Sequence, residues 1–199
     1  MNTIDDAEIH QIVERVLKQV TGASQPATAR APAPLPAVRP AENAALTPGR
    51  KVVAIGADHG GFELKEILKT TLNELGYDVK DIGAYNKGAV DYPDFAHDVA
   101  RLVSVGKAWR GIMIDGAGIG SCIVANKVPG IRAGMAYDYS SAVNSREHND
   151  TNVLTLGAGM IGVNLAQLIV KTWLATEFAG GRHTPRIDKI TAVEKQYLK

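Results

Sequence analysis

The stretch KVVAIGADHGGFELKEILKTTLNELGYDVKDIG, residues 51–83, determines the fold class of this chain. A short run of β-branched residues leads into a glycine-rich turn, an amphipathic stretch and a second short run. Two strands joined through a helix in this way form a parallel βαβ unit. The same alternation continues to the end of the chain, so the whole region from residue 51 to 199 is predicted to be one domain.

Three more short apolar runs follow, each separated from the next by an amphipathic stretch: GIMIDG at 111–116, IRAGMAY at 131–137 and NVLTLG at 152–157. Five strands with interleaved helices predict an α/β fold, a Rossmann-like three-layer sandwich around a five-stranded parallel sheet. Ligands of such sheets bind at the carboxyl ends of the strands. Functional residues are therefore expected where the strands end.

The chain upstream of this domain has two parts. Residues 1–21 carry one apolar stripe at helical spacing, made of Ile9, Ile12, Val13, Val16, Leu17 and Val20. Residues 22–50 are rich in alanine and proline and lack apolar periodicity, which predicts a disordered, semi-rigid linker. An isolated helix of this length is marginal in water, so the stripe requires a partner.

Composition excludes several classes of function. The net charge of +1 gives no general affinity for nucleic acid. A single cysteine, Cys122, excludes an intramolecular disulfide and fits a reducing cytoplasm. No apolar run approaches the roughly 20 residues that span a bilayer. We therefore expect a soluble cytoplasmic protein with no membrane partner.

Two strand ends carry residues suited to chemistry. GADHGG at 56–61 precedes a helix, where glycines let a ligand approach and the helix start favours an anion. DGAGIGSC at 115–122 has the pattern G-x-G-x-G rather than a dinucleotide fingerprint, so its backbone N–H groups are better suited to an oxyanion or phosphate. A helix cap at the first and a tight structural turn at the second are the alternatives.

Two later segments are also candidates. SREHNDTN at 145–152 places a histidine among polar neighbours, as an acid/base group or a helix cap. GGRHTPR at 180–186 places two arginines four residues apart, where they can clamp a phosphate or lie at a solvated helix end.

The ordered motifs GADHGG, DYP, GAGIG, ANKVPGIRA, REHNDTNVL and GGRHTPR resemble those of the type B ribose-5-phosphate isomerases, which are grouped with the galactose-6-phosphate isomerases. The resemblance runs from Lys51 to about residue 196. It implies aldose–ketose isomerisation of a sugar phosphate, here a pentose phosphate, through an enediol with no metal and no cofactor. It also implies a site at a dimer interface, hence a homodimer or tetramer.

The resemblance assigns a role to each motif. His148 is the ring-opening group, and the backbone N–H groups of Gly116, Ala117, Gly118 and Gly120 cradle the enediolate. The other expected substrate contacts are Asp58, His59, Tyr92, Asn149, Arg182 and Arg186.

The chain also departs from the family pattern. Asp115 stands where many members have a cysteine that acts as the base, and Ala117 stands where they have a threonine. Gly159 stands where they have a third arginine that binds the phosphate. Other members lack the cysteine and have a glutamate at a position near Ser121. We predict that Asp115 replaces the cysteine as the catalytic base. Cys122 is the competing catalytic residue, since a first helical turn favours a thiolate, or it is a small core residue. The absence of the arginine at Gly159 suggests that the substrate is a different sugar phosphate.

Two alternatives concern the function as a whole. A non-catalytic sugar-phosphate sensor could use the same fold. The helix at 1–21 with its linker resembles the encapsulation peptides that carry cargo enzymes into bacterial microcompartments, which implies a shell protein as partner and a location inside the compartment. A coiled coil would sustain more heptads, and a membrane-surface helix would carry more basic residues.

Overall fold

The structure is a computed structural model that describes Gln11 and residues 49–198. The predicted helix at 1–21 and the linker at 22–50 therefore lie outside the described residues, apart from Gln11, Gly49 and Arg50. The domain predicted from residue 51 onward is described almost to its end.

Five strands form one parallel sheet, as the sequence predicts. They are β1 (Val52–Ala57), β2 (Asp78–Gly83), β3 (Arg110–Asp115), β4 (Ala133–Met135) and β5 (Val153–Gly157). Their order across the sheet is β2-β1-β3-β5-β4, and every neighbouring pair is parallel. The edge strand β4 has three residues, fewer than the run predicted at 131–137.

Between residues 49 and 198, six helices accompany the strands. They are α1 (Phe62–Glu74), α2 (Tyr92–Ser104), α3 (Ile119–Ala125), α4 (Tyr139–Glu147), α5 (Val163–Ala175) and α6 (Thr184–Tyr197), with a 3-10 turn at Gly181–His183. Each of the first five buries residues against the domain, whereas α6 buries none. The predicted Rossmann-like α/β architecture is confirmed.

The core is built on the central strands. Every residue of β3 and of β5 is buried, because helices cover both faces of a parallel sheet. The largest fully buried side chain is that of Trp173 on α5, whose indole Nε1 donates a hydrogen bond to Thr151 Oγ1 over 2.9 Å.

The strands of the sheet all end on one side and all begin on the other. We call these two sides the carboxyl edge and the amino edge, and they are distinct from the outer strands of the sheet, β2 and β4. A helix that follows a strand runs back along the sheet, so it starts at the carboxyl edge and ends at the amino edge. Side-chain contacts confirm this for two helices. Arg110, at the start of β3, donates to the carbonyls at the end of α5, Trp173 O and Leu174 O. Arg146, near the end of α4, donates to Thr151 O, just before β5.

Candidate active site

The end of β1 places Asp58 and His59 at the carboxyl edge. Asp58 N donates to Ile114 O over 3.1 Å, and Asp58 Oδ1 accepts a hydrogen bond from Gly61 N over 2.9 Å. Asp58 is largely buried, at 8% exposure, while His59 is exposed. A β-carbon at Gly61 would collide with the Ile114 carbonyl, so glycine is required where α1 begins.

The loop before α2 brings two more residues to the same edge. His59 Nδ1 lies 3.1 Å from Val90 O and 3.3 Å from Val90 N, so this loop backbone holds the imidazole. The ring of Tyr92 packs against Gly120, where a β-carbon would lie 2.5 Å from the ring. Tyr92 thereby lies against the start of α3, next to the loop that follows β3.

The loop after β3 is folded around Asp115. The Asp115 carboxylate is 4% exposed and accepts hydrogen bonds at both oxygens. Oδ1 accepts from Ala117 N over 2.8 Å and from Gly118 N, and Oδ2 accepts from Ser121 N over 3.1 Å and from Ser121 Oγ. Two of the N–H groups that the sequence assigns to the enediolate are thus directed at this carboxylate, whereas Gly116 N and Gly120 N have no partner among the described residues.

Neighbouring loops hold this one in place. Tyr137, just beyond β4, donates its hydroxyl to Ala117 O over 2.6 Å. Ala158 N donates to Asp115 O over 2.8 Å, and Gly159 N donates to Gly116 O over 3.0 Å. Gly159, the position without the family arginine, therefore lies beside the loop at the carboxyl edge.

Cys122 is half-buried on α3, and its thiol donates to Ala133 O over 3.5 Å. Burial raises the pKa of this thiol, and the charge of Asp115 raises it further, against the lowering effect of a hydrogen bond from Asn126. This direction disfavours a thiolate, because desolvation penalises the charged form of the thiol.

His148, Arg182 and Arg186 lie apart from the loop around Asp115. His148 follows α4, and its ring stacks on that of His183 with centroids 4.1 Å apart. Asn144 Nδ2 lies 2.8 Å from His148 Nδ1, and Asn149 Nδ2 donates to Asn144 O over 3.3 Å. Arg182 Nε donates to His183 Nε2 over 3.3 Å, and one turn further on lies Arg186.

Positive charge accumulates in this second group. Desolvation lowers the pKa of His183, and His148, Arg182 and Arg186 lower it further through their charges. Two guanidinium groups beside this imidazole suit a phosphate, which can accept hydrogen bonds from both of them.

The predicted residues therefore form two groups. The carboxyl-edge group contains Asp58, His59, Tyr92 and the loop at 115–121; the amino-edge group contains His148, Asn149, Arg182, His183 and Arg186. Because α4 has nine residues, it separates its ends by roughly 13 Å. No hydrogen bond or ion pair among residues 49–198 joins the two groups. One chain does not assemble them into one site.

Three residues near these groups were not singled out from the sequence: Asn144, His183 and Tyr137. Asn144 lies one helical turn before His148, and His183 adjoins Arg182 in a quoted motif, so both had a detectable signal. No local sequence signal pointed to Tyr137, because its hydrogen bond to Ala117 O joins residues that are 20 positions apart in the chain.

A cavity of about 620 Å³ adjoins the amino-edge group. Its lining includes Arg132, Gly134, Ser141, Asn144, Asn149 and Ile190, so it opens along the edge strand β4. In the part of the chain that the structure describes, no group of three or more acidic, histidine or cysteine side chains is arranged to hold a metal ion. None of the described helices is long and apolar enough to cross a membrane.

Known proteins match this domain over its whole length. The family described as Ribose/Galactose Isomerase matches residues 53–190. The ribose-5-phosphate isomerase B of Escherichia coli is 44% identical over 146 residues, which make up 73% of this chain and 98% of that protein. The D-erythrulose-4-phosphate isomerase of Pectobacterium atrosepticum is 43% identical over 145 residues, 72% of this chain and 95% of that protein.

A solved structure agrees with the fold. The ribose-5-phosphate isomerase B of Clostridium thermocellum superposes with a TM-score of 0.72 at 49% sequence identity. The superposition covers 73% of this chain and 99% of that chain. The similarity thus includes both groups of residues.

Proposed function

Because the chain belongs to the ribose/galactose isomerase family and is a sugar-phosphate isomerase, we propose that it interconverts ribose 5-phosphate and ribulose 5-phosphate, or a closely related pentose phosphate pair, through an enediol. The observation that carries this proposal is the similarity to ribose-5-phosphate isomerase B across the whole domain. The sensor alternative is not favoured, since the matched relatives are named as isomerases.

The amino-edge group would bind the phosphate and open the sugar ring. Arg182 and Arg186 are exposed and one turn apart, so both can donate to one phosphate. His148 stands beside them, held by Asn144 and stacked on His183, in position to move a proton between the ring oxygen and the anomeric hydroxyl. Asn149 would contact a sugar hydroxyl.

The carboxyl-edge group would hold the carbons that react. The backbone N–H groups of Gly116 and Gly120 have no partner among the described residues, and they lie where α3 begins, so they would stabilise a developing enediolate oxygen. Asp58, His59 and Tyr92 surround the same loop and would bind the sugar.

The separation of the two groups supports a homodimer. A pentose phosphate is too short to reach both edges of one sheet, so a second copy must present its amino-edge group to the carboxyl-edge group of the first. The cavity beside β4 and the unburied helix α6 are surfaces available for such a contact.

The substrate can be identified by a panel of aldose phosphates with four, five or six carbons. Each is incubated with the full chain in deuterated water, and isomer formation and deuterium incorporation are followed by proton NMR. We expect the fastest turnover with ribose 5-phosphate. If a tetrose phosphate is turned over instead, the proposed substrate becomes the tetrose phosphate. Binding of the sugar phosphates without any deuterium incorporation would contradict catalysis.

We further propose that residues 1–21 direct the enzyme into a bacterial microcompartment, through a shell protein that covers the apolar stripe. A fluorescent protein fused to residues 1–21 and produced with shells is expected to concentrate in them. Leu17→Asp, on the stripe, should abolish this, whereas Lys18→Ala, on the polar face, should not. Diffuse fluorescence of the unmodified fusion would contradict the proposal.

A further inference from the structure

We propose, on the basis of the isomerase function above, that Asp58 and not Asp115 removes the proton from the substrate carbon in this chain. The sequence alone favours Asp115, because of its place at the end of β3. The hydrogen bonds of the two carboxylates favour Asp58.

Asp115 has no free acceptor position. An ionised carboxylate offers about four lone-pair directions, and four donors from Ala117, Gly118 and Ser121 occupy them. A carbon-bound proton can reach such an oxygen only if one of these hydrogen bonds is broken.

Cys122 is also poorly placed. Its thiol is directed at Ala133 O on the edge strand β4, and Asn126 Nδ2 lies 3.6 Å from the sulfur. The sulfur therefore faces β4 rather than the loop around Asp115.

Asp58 presents one free oxygen. Oδ1 accepts from Gly61 N, which fixes the carboxylate plane, while Oδ2 accepts no hydrogen bond from a described residue. Among these residues the only buried side-chain oxygen or nitrogen without a partner is Thr155 Oγ1, so Asp58 Oδ2 reaches the surface.

Asp58 also lies next to the expected oxyanion donors. A β-carbon at Gly60 would be 3.3 Å from Asp58 Oδ1 and 3.8 Å from Gly116 N, so carboxylate and N–H flank the same small space. A substrate whose carbonyl oxygen accepts from Gly116 N would hold its neighbouring carbon near Asp58. This is the arrangement that proton abstraction next to a carbonyl requires.

The step balances without a co-reactant. Asp58 Oδ2 takes the proton from C2 of the open-chain aldose, the C–H electron pair forms the C1=C2 bond, and the carbonyl pair moves to O1. The hydroxyl proton then passes from O2 to O1. While the enediolate is bound, the Asp58 carboxyl exchanges its proton with solvent. The electron pair on O2 then forms the new carbonyl at C2, and C1 takes a proton from Asp58, which regenerates the carboxylate and gives the ketose.

Asp115 then has a different task, as a positioning residue. Its carboxylate accepts from the N–H groups of Ala117, Gly118 and Ser121, whereas Gly116 N and Gly120 N have no partner among the described residues. Loss of the charge should lower the thermal midpoint of the protein, because three backbone donors lose their shared acceptor.

The test uses the full chain with ribose 5-phosphate in deuterated water, with deuterium incorporation measured by proton NMR. Asp58→Asn keeps an oxygen for Gly61 N, so the fold is preserved, and incorporation should fall by about a hundredfold or more. If Asp58→Asn keeps the wild-type rate, the proposal is wrong. If the wild-type chain itself incorporates no deuterium from any aldose phosphate, the isomerase function fails instead.

Chemical rescue separates catalysis from positioning. Formate added to Asp58→Ala should restore incorporation, because a small carboxylate can occupy the vacated space and accept the proton. Formate should not restore Asp115→Ala, whose defect is the shape of the loop. Any other pattern, including rescue of neither variant, overturns the assignment.

Discussion

Two carboxylates at the carboxyl edge differ in the donors around them. Asp115 follows a buried strand and faces a helix start, so backbone N–H groups converge on it. Asp58 faces a helix start as well, but among the described residues only Gly61 N donates to its carboxylate, and none of them donates to Oδ2. Whether a carboxylate is structural or reactive is therefore decided by its unpaired lone pairs rather than by its place after a strand.

Tyr137 provides a prediction at the same scale. Tyr137→Phe removes the hydroxyl that donates to Ala117 O over 2.6 Å, so the loop around Asp115 loses one tether. We expect the free energy of unfolding to fall by about 1 kcal/mol and kcat to fall with KM nearly unchanged, as measured by urea unfolding and steady-state kinetics. Tyr139→Phe, at an exposed residue, is the matched control. Equal losses in both variants would contradict a specific role of the Tyr137 hydroxyl.

Among the elements, α4 depends on its first turn. Asp138 caps this helix by accepting from Ser141 N over 2.7 Å, and the Ser141 hydroxyl lies 3.2 Å from Asp138 N in return, a reciprocal capping box. Hydrogen bonds from Ser141, first from its N–H and then from its hydroxyl, hold the pKa of Asp138 below its usual value of 3.8.

Asp138→Ala is expected to lower the thermal midpoint, whereas Asp138→Asn should retain most of it because the amide oxygen still caps the helix. Folding lowers the pKa of Asp138, so its negative charge stabilises the folded wild type above pH 3.8. This contribution to stability is lost as the pH falls through the pKa of Asp138 in the folded state. Asp138→Asn should lack this acid-dependent component. Thermal melts at neutral and acidic pH measure both effects, and an unchanged midpoint in Asp138→Ala would contradict the capping role.

A buried lysine joins α1 to β2. Lys65 is fully buried, and its Nζ donates to Asp81 Oδ1 over 2.8 Å and Oδ2 over 2.7 Å. Burial raises the pKa of Asp81, but hydrogen bonds from Lys65 and Lys69 outweigh it and hold that pKa below the usual value.

Lys65→Met leaves part of the Asp81 charge uncompensated, and we expect the free energy of unfolding to fall by about 3 kcal/mol. The pKa of Asp81 should rise in this variant, so stability is lost at a higher pH on acidification. Lys69→Met, at a more exposed lysine, should cost no more than about 1 kcal/mol. Urea unfolding over a range of acidic pH measures both changes. If both variants lose the same stability, burial of Lys65 is not the cause.

On the scale of the whole molecule, the two groups at opposite edges predict subunit complementation. Asp58→Asn and His148→Asn are each expected to be inactive alone. When the two are mixed by co-expression, hybrid dimers would contain one site with both residues intact, so about a quarter of the wild-type activity should return. A mixture that stays inactive would contradict a site shared between copies, provided that hybrids are detected by mass spectrometry.

The alternation of strands and helices could be predicted from the sequence because it depends on local residue patterns. β-branched runs and amphipathic stretches follow the periods of strand and helix whatever the rest of the chain does, so the fold class, most helices and all five strands could be predicted. The short β4 could not be bounded, since the length of an edge strand depends on its one neighbour, β5.

The candidate site was only partly predictable. The sequence by itself determined which chemistry-bearing residues exist and after which strands or helices they come, including Asp58, Asp115, His148 and the two arginines. Only the tertiary structure decided which of them meet. The fold sends α4 back along the sheet, which carries His148 to the amino edge. It also turns three backbone N–H groups toward Asp115, while no residue that the structure describes donates to Asp58 Oδ2. Hydrogen-bond donors far apart in the chain converge only when it folds, and no local pattern records that convergence.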